Sequence, residues 1–188
     1  MGAELSAIRK DPACKSLPEA FLYPGLYAIV IHIFLIHSLY IRRWYFMARL
    51  FSQIMRFFTG VEIHPGAVLG RGIFIDHAIA IVVGETCEIG NNCILYHNIT
   101  LGGTGNHEGK RHPTVGDNCQ IGTGSILLGP ITIGNNTKIG ANCFIINKDT
   151  PSDCTVVDCP GRIVRLNGRK VDLPLQTCER EKERRGTL

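Results

Sequence analysis

Two histidines interrupt a stretch of the chain that otherwise consists mostly of aliphatic, small and glycine residues. The stretch is "DHAIAIVVGETCEIGNNCILYHNITLGG", residues 76–103, and its histidines are His77 and His97. The pKa of histidine suits proton transfer at neutral pH, and an alcohol becomes a competent nucleophile when such a base accepts its proton. His77 directly follows Asp76, and a polar pair of this kind is costly to bury without a purpose. We therefore interpret His77 as a general base and His97 as a supporting or packing residue.

A second group of polar residues lies in "GGTGNHEGKRHPT", residues 102–114. This segment carries no aliphatic residue at the positions where its neighbours do, which predicts a protruding loop, and such loops commonly carry function. Its Arg111 suits a carboxylate ligand because the planar guanidinium can bind both carboxylate oxygens. His112 follows directly, so the loop offers a cation and an imidazole side by side.

A period of six, starting at residue 61, indicates the elements that hold these residues. Cysteines recur four positions after the aliphatic residue of a repeat, where we expect small packing side chains. Such short repeats predict a parallel β-helix, in which stacked coils bury a common core. In the left-handed form three repeats make one coil, so residues eighteen apart stack. The aliphatic positions are Ile63, Leu69, Ile75, Ile81, Val83, Ile89, Leu95, Leu101, Val115, Ile121, Leu127, Ile133, Ile139 and Ile145, and the cysteines are Cys87, Cys93, Cys119 and Cys143.

The residues before this repeat follow a helical pattern instead. "LYAIVIHIFLIHSLYI", residues 26–41, is sixteen residues long and contains His32 and His37, whereas a membrane-spanning helix needs about 20 apolar residues. We expect a buried helix rather than a membrane span, with His37 close to the first coil. The chain thus divides into a helical segment 1–60, a β-helix domain 61–165 that includes loop 102–114, and a charged tail 166–188.

Composition narrows the classes of partner and compartment. The 188 residues carry a formal net charge of +4, and no block of lysine and arginine with interleaved aromatics occurs, so we expect no nucleic-acid partner. Eight cysteines occur without a Cys-x-x-Cys pair or a signal peptide, which favours reduced thiols in the cytoplasm over disulfides or a structural zinc site.

Several motifs together resemble one family. "DPACKS", "EIHPGAVLGRGIFIDHA", "IVVGET", "TLGGTG" and "KRHP" lie between Asp11 and Val164, about four fifths of the chain. In these motifs the chain resembles the serine O-acetyltransferases of the hexapeptide-repeat acyltransferase superfamily. The resemblance implies a left-handed parallel β-helix that transfers the acetyl group of acetyl-CoA to the hydroxyl of L-serine for cysteine biosynthesis, with no metal.

The resemblance also implies residue roles. His77 would be the base, oriented by Glu62, which lies fifteen residues earlier and so near the same corner of the coil. A carboxylate in that place would fix the imidazole tautomer. His112 would lie beside the reacting hydroxyl. The amino group of serine would be bound by Asp11 and Asp76 and its carboxylate by Arg111, whereas Gly103, Thr123 and Ala141 would line the CoA channel. Independently of the resemblance, the negative charges of CoA make Lys138 a candidate contact.

Two other interpretations stay open. "DHAIA" places Ile79 and Ala80 where the family usually has smaller or more flexible residues, so the acceptor could be another amino acid or a sugar. A third interpretation is a metal-dependent or non-catalytic β-helix, in which His77, His97 and His112 form a three-histidine site. The opposite charges of the predicted acceptor residues favour a zwitterion over a sugar.

Assembly is the last expectation. Only ten residues precede Asp11, so we expect a simple homotrimer with active sites between adjacent subunits. The charged tail ending in Leu188 could bind O-acetylserine sulfhydrylase. We expect neither nucleic acid nor membrane as a partner.

Overall fold

The computed structural model describes residues 2–9, 11–105, 108–159 and 161–177. Up to Thr59 the described chain consists mostly of helices. The helices are α1 (Gly2–Ile8), α2 (Leu17–Ala20), α3 (Pro24–Ile31), α4 (His37–Ile41) and α5 (Tyr45–Thr59), and a π-helical turn (His32–Ile36) joins α3 to α4. Helix α5 ends at Gly60, whose φ of 72° lies in the left-handed region that glycine adopts without strain.

The strands that follow form a triangular parallel β-helix with three faces. Face A contains β1 (Val61–Ile63), β4 (Ile81–Val83), β7 (Thr100–Gly102), β10 (Ile126–Leu128) and β13 (Phe144–Ile146). Face B contains β2 (Val68–Leu69), β5 (Glu88–Ile89), β8 (Thr114–Val115) and β11 (Thr132–Ile133). Face C contains β3 (Phe74–Ile75), β6 (Ile94–Leu95), β9 (Gln120–Ile121), β12 (Lys138–Ile139) and β15 (Cys154–Val157).

The chain visits the faces in the order A, B, C, and the segments between them form three corners. The AB corner comprises residues 64–67, 84–87, 103–105, 108–113 and 129–131; the BC corner comprises 70–73, 90–93, 116–119 and 134–137; the CA corner comprises 76–80, 96–99, 122–125 and 140–143. Where no insertion intervenes, residues eighteen apart pair, as Leu127 does with Ile145. The predicted β-helix and its N-terminal helical segment are therefore confirmed.

The interior is built from the predicted repeat positions. Among the fourteen aliphatic residues, Ile121, Leu127 and Ile133 are fully buried. The four repeat cysteines are free thiols, each at most 1% exposed, and they fill the inside of the corners. Burial raises the pKa of the Cys87 thiol to about 12, so it stays protonated and acts as a small packing group, as the sequence predicts.

The apolar stretch that the sequence assigns to a buried helix lies against the first coil with one side only. The segment Pro24–Ile41 is long and apolar enough to cross a membrane by length and composition, and 33% of it is buried. His32 Nε2 donates to Ala67 O at 2.9 Å, and His37 Nδ1 lies 3.0 Å from Pro65 O. The predicted approach of His37 to the first coil is thus confirmed.

The C-terminal part of the described chain contains strands where the sequence predicts a charged tail. Strands β16 (Arg162–Leu166) and β17 (Arg169–Pro174) form an antiparallel hairpin that extends face C through β15. Two short strands, β14 (Lys148–Asp149) and β18 (Gln176–Thr177), also pair. Residues 166–174, which the sequence assigns to the tail, belong to this hairpin, because "RIVRLNGRKVDLP" carries a turn, Asn167-Gly168, between two strand-forming runs. Leu188 lies outside the described residues.

Candidate active site

The predicted base lies on an exposed turn at the CA corner. His77 has a φ of 61°, and its side chain is 67% exposed. Its Nε2 lies 3.5 Å from Asp76 Oδ2, and its ring meets that of His97 edge to face with a centroid distance of 5.3 Å. The imidazole is therefore open to a ligand and has a carboxylate on one side and an aromatic ring on the other.

The two aspartates predicted to bind an amino group come together. Asp11 and Asp76 line the same cavity of about 180 Å³ between the N-terminal helices and face C. Asp11 accepts hydrogen bonds from the Ala13 N–H at 2.9 Å and the Tyr23 hydroxyl at 2.8 Å. The bond to Asp11 raises the pKa of Tyr23 to about 12, so the phenol stays a donor. Two carboxylates on one small cavity suit an ammonium group.

Glu62 faces α5 rather than the predicted base. It lies on the outer side of β1, where Arg49 and Arg56 each approach its carboxylate to 3.2 Å. Within the described residues Glu62 makes no hydrogen bond to His77, because two guanidinium groups stand above face A and draw the carboxylate toward the helix. The carboxylate beside His77 is that of Asp76. The orienting role of Glu62 stays a prediction.

Arg111 lies at the AB corner, in contact with the coil below it. Its guanidinium pairs with the carboxylate of Glu85, to which the Tyr40 hydroxyl donates at 2.9 Å. The hydrogen bond from Arg111 holds the pKa of Glu85 below its usual range, and burial, aided by Glu85, raises the pKa of Tyr40. The three groups therefore hold the guanidinium in one place. A ligand carboxylate would share Arg111 with Glu85.

His112 is the least exposed of the predicted catalytic residues. It is 9% exposed, and its Nδ1 receives the backbone N–H of Thr86 at 3.2 Å. Burial and the neighbouring charge of Arg111 lower the pKa of His112 to about 4. A Cβ at Gly84 would overlap the His112 ring, and one at Gly103 would lie 3.4 Å from its Nε2. Glycine at these two positions leaves room for the imidazole.

Three of the four residues predicted to contact CoA share one groove. Thr123, Ala141 and Lys138 line a groove of about 360 Å³ that runs from the CA corner onto face C. Gly103 lies apart from them at the AB corner, beside Arg111 O and the His112 ring. The structure thus divides the predicted CoA contacts between two corners.

The same division holds for most of the predicted residues. Asp76, His77, Thr123 and Ala141 lie at the CA corner, whereas Arg111 and His112 lie at the AB corner, with face A between them. A groove, a cavity lined by two aspartates and an exposed histidine therefore lie along the CA corner. A cation and a buried imidazole stand on another.

Sequence reasoning missed the residues that support the AB corner. Glu85 and Thr86 are part of "IVVGET", a motif that carries the family resemblance but does not by itself give these residues roles. Tyr40 lies in the apolar stretch that was assigned to packing. Stacking of the coils places a carboxylate and a hydroxyl directly below the predicted Arg-His pair. The order of the coils could therefore have predicted these contacts.

The three histidines of the alternative metal site do not meet within one chain. His77 and His97 are neighbours at the CA corner, but His112 lies at the AB corner. Within the described residues, no group of three histidine, cysteine or acidic side chains has the geometry to hold a metal ion. That no metal is needed stays a prediction from the sequence.

Comparisons with known proteins find hexapeptide-repeat transferases and serine acetyltransferases. A family model for bacterial transferase hexapeptide (six repeats) matches residues 112–147. The serine acetyltransferase of Bacillus subtilis is 51% identical over 181 residues, which are 92% of this chain and 82% of that protein. The serine acetyltransferase of Staphylococcus xylosus is 50% identical over 163 residues, which are 86% of this chain and 74% of that protein.

Solved structures of serine acetyltransferases also match this chain. The serine acetyltransferase of Neisseria gonorrhoeae in complex with serine matches with a TM-score of 0.81 and 40% identity, over 86% of this chain. This chain covers 66% of the length of that protein. It therefore spans about two thirds of the solved relative and about four fifths of the Bacillus relative.

Proposed function

This chain belongs to the serine acetyltransferase family, and we propose that its residues transfer the acetyl group of acetyl-CoA to the hydroxyl of L-serine as follows. His77 accepts the hydroxyl proton while the serine oxygen attacks the thioester carbonyl carbon. The tetrahedral intermediate collapses, the carbon–sulfur bond breaks, and the leaving thiolate takes the proton from the His77 imidazolium. The products are O-acetylserine and CoA, for use in cysteine biosynthesis.

Acceptor recognition rests on opposite charges at the two corners. Asp11 and Asp76 bind the ammonium group of serine in their shared cavity, and Arg111 binds the carboxylate. A sugar offers neither charge and would leave these groups unpaired. A structure of the Neisseria relative holds serine, which supports serine over another acceptor.

Acetyl-CoA binds along the groove that contains Thr123, Ala141 and Lys138. Small residues and exposed backbone on the coil edge suit the narrow pantetheine arm, and the ammonium group of Lys138 suits a phosphate. The observation that supports this placement is that the groove starts at the CA corner, the same corner that carries His77. The thioester end of the arm can therefore approach the base.

Each active site is completed by a second copy of the chain. His112 and Arg111 stand on a different corner from His77, and a cyclic homotrimer brings two different surfaces of identical copies together. Face A carries the outward apolar side chains Val82, Ile126 and Ile146, each about 40% exposed. An apolar face between the two corners suits contact between copies. The AB corner of one copy then meets the CA corner of the next.

The expectations about metal, compartment and protein partner rest on the sequence rather than on the structure. The reaction as written uses no metal ion and takes place in the cytoplasm. O-Acetylserine sulfhydrylase remains a candidate partner through the tail that ends in Leu188.

The proposal is tested by following CoA release from acetyl-CoA with L-serine, L-homoserine or sugars as acceptor. We expect turnover of serine, and a loss of roughly 10²- to 10⁴-fold in kcat for His77→Ala, since that is what a general base contributes. His37→Ala, a histidine outside both corner groups, serves as the matched control and should retain activity. Release of CoA with another acceptor only would overturn serine as substrate, and an unchanged His77→Ala variant would overturn the base.

A further inference from the structure

Thr86 holds the segment of the loop that carries the Arg-His pair. Its hydroxyl oxygen accepts the backbone N–H of Arg111 at 3.0 Å and that of His112 at 3.1 Å. Its carbonyl accepts the Lys110 ammonium at 2.6 Å. Three consecutive loop residues therefore bond to one residue of the coil below.

The same contacts determine which ring nitrogen of His112 carries the proton. A backbone N–H can only donate, so the Thr86 N–H at 3.2 Å makes His112 Nδ1 an acceptor. The Thr86 hydroxyl lies 2.9 Å from Nδ1, and its oxygen already accepts two N–H groups. Its own hydrogen is then free to point only to Nδ1. Two donors converge on Nδ1, so the proton of the neutral ring is at Nε2.

His112 Nε2 is left free to act on a ligand. This nitrogen has no hydrogen-bond partner in the part of the chain that the structure describes. It is also not sealed off from solvent. Gly84 and Gly103 border it. The lowered pKa, about 4, means that the ring is neutral at pH 7, so Nε2 is a donor on an uncharged imidazole.

We propose that Thr86 is a positioning residue that holds His112 as the Nε2–H tautomer, so that His112 donates a hydrogen bond to the oxygen that becomes negative during acetyl transfer. This inference rests on the proposed function for the identity of that oxygen, but the tautomer itself does not. The two histidines then have separate tasks: His77 exchanges the proton, and His112 stabilises charge without exchanging one.

The tautomer is measured by ¹⁵N NMR of the histidine rings in the full-length enzyme at pH 7, with His112 assigned from a His112→Gln variant. We expect His112 Nδ1 to resonate as an unprotonated nitrogen and Nε2 as a protonated one. Protonated Nδ1 in the wild-type enzyme would overturn the proposal. This measurement needs no substrate, so it gives its result even if serine proves not to be the acceptor.

The role of Thr86 is measured with Thr86→Val, which removes the hydroxyl and keeps the branched shape. The backbone N–H remains, so we expect a partial loss of the tautomer, seen as a shift of the Nδ1 resonance toward the protonated range, with kcat reduced roughly tenfold. Loss of a full oxyanion donor, as in His112→Ala, should cost roughly 10²- to 10³-fold. Thr86→Ser, which restores the hydroxyl, should restore both readouts.

Thr114→Val is the matched control, because the Thr114 hydroxyl is buried without a partner among the described residues. It should leave kcat and the His112 resonances unchanged. If Thr86→Val lowers kcat but leaves the Nδ1 resonance where it was, Thr86 has a merely structural role and the proposal is overturned. If serine is not turned over by the wild-type enzyme but the tautomer is as stated, the fault lies in the proposed function, and the positioning role of Thr86 stands.

Discussion

At the scale of single residues, the turn that carries the proposed base is strained. His77, Ala78 and Ala80 have φ values of 61°, 45° and 56°, in a region that costs a non-glycine residue roughly 1 kcal/mol or more. The sequence predicts a reactive histidine here from the Asp-His pair, but it does not predict the strain, since alanine at such positions is unusual. The turn is held by its neighbours: Ile79 O accepts the Asn98 N–H at 2.8 Å.

The buried His32 makes the stability of the folded chain depend on pH. His32 is 1% exposed, and burial, with smaller effects of the neighbouring His37 and His64, lowers its pKa from 6.5 to about 4. The unfolded chain therefore binds a proton more readily than the folded one between about pH 6.5 and pH 4. The contribution of His32 to stability is complete above that window and is lost as the pH falls through it, by up to roughly 1.4 kcal/mol per pH unit.

We predict that His32→Gln loses less stability between pH 7.5 and pH 5 than the wild type does. The glutamine amide can still donate to Ala67 O but does not titrate, while His112 titrates in both proteins. Urea unfolding at the two pH values measures the difference, and His37→Gln serves as the control. An equal loss in wild type and His32→Gln would show that His32 does not cause the acid sensitivity.

At the scale of elements, the sequence predicts the coils of the β-helix but not how the N-terminal helix and the C-terminal hairpin pack against them. Inward aliphatic residues recur every six positions, so the strands and the loop at 102–114 follow from spacing. The one-sided packing of the helix Pro24–Ile41 depends on contacts with Pro65 and Ala67, which no local pattern encodes. The hairpin of β16 and β17 has no hexapeptide period, so the sequence pattern places its second strand in the tail.

A ladder of asparagine side chains runs along the BC corner and ends on Asp153, directly before β15, and it explains why coils need particular turn residues. Asn92, Asn118, Asn136 and Asp153 all have φ between 56° and 57°. Their side chains bond from coil to coil, at 3.4, 3.3 and 2.8 Å. Asparagine tolerates the left-handed region because its short amide bonds locally, so one residue type supplies both the turn and the link between coils.

We predict that Asn118→Val lowers the free energy of unfolding by about 1–3 kcal/mol, because a branched side chain is strained at positive φ. Asn118→Gly relieves the strain and loses only the ladder bonds, so it should cost about 1 kcal/mol or less. Urea unfolding of the two variants compares the two effects. Equal costs would mean that the ladder, rather than the backbone conformation, dominates this corner.

At the scale of the whole molecule, the important feature is the separation of the predicted site residues. The sequence predicts their identities because their motifs are local, but it does not show that Arg111 and His112 lie on a different corner from His77. Corner assignment depends on the number of residues in every turn and on the insertion at 102–114. Only when the coils are stacked do the predicted residues separate onto two corners, with the apolar outer side of face A between them.

The central claim is that two copies of the chain share each active site, and subunit mixing tests it most directly. His77→Ala and His112→Ala are each expected to be nearly inactive, and the two proteins are dissociated, mixed in equal amounts and reassembled. With random mixing, about a quarter of the sites combine an intact His77 from a His112→Ala copy with an intact His112 from a His77→Ala copy, so we predict recovery of about a quarter of the wild-type rate of CoA release. Activity that stays at the average of the two separate variants would show that each site is formed within one copy, which would contradict the claim.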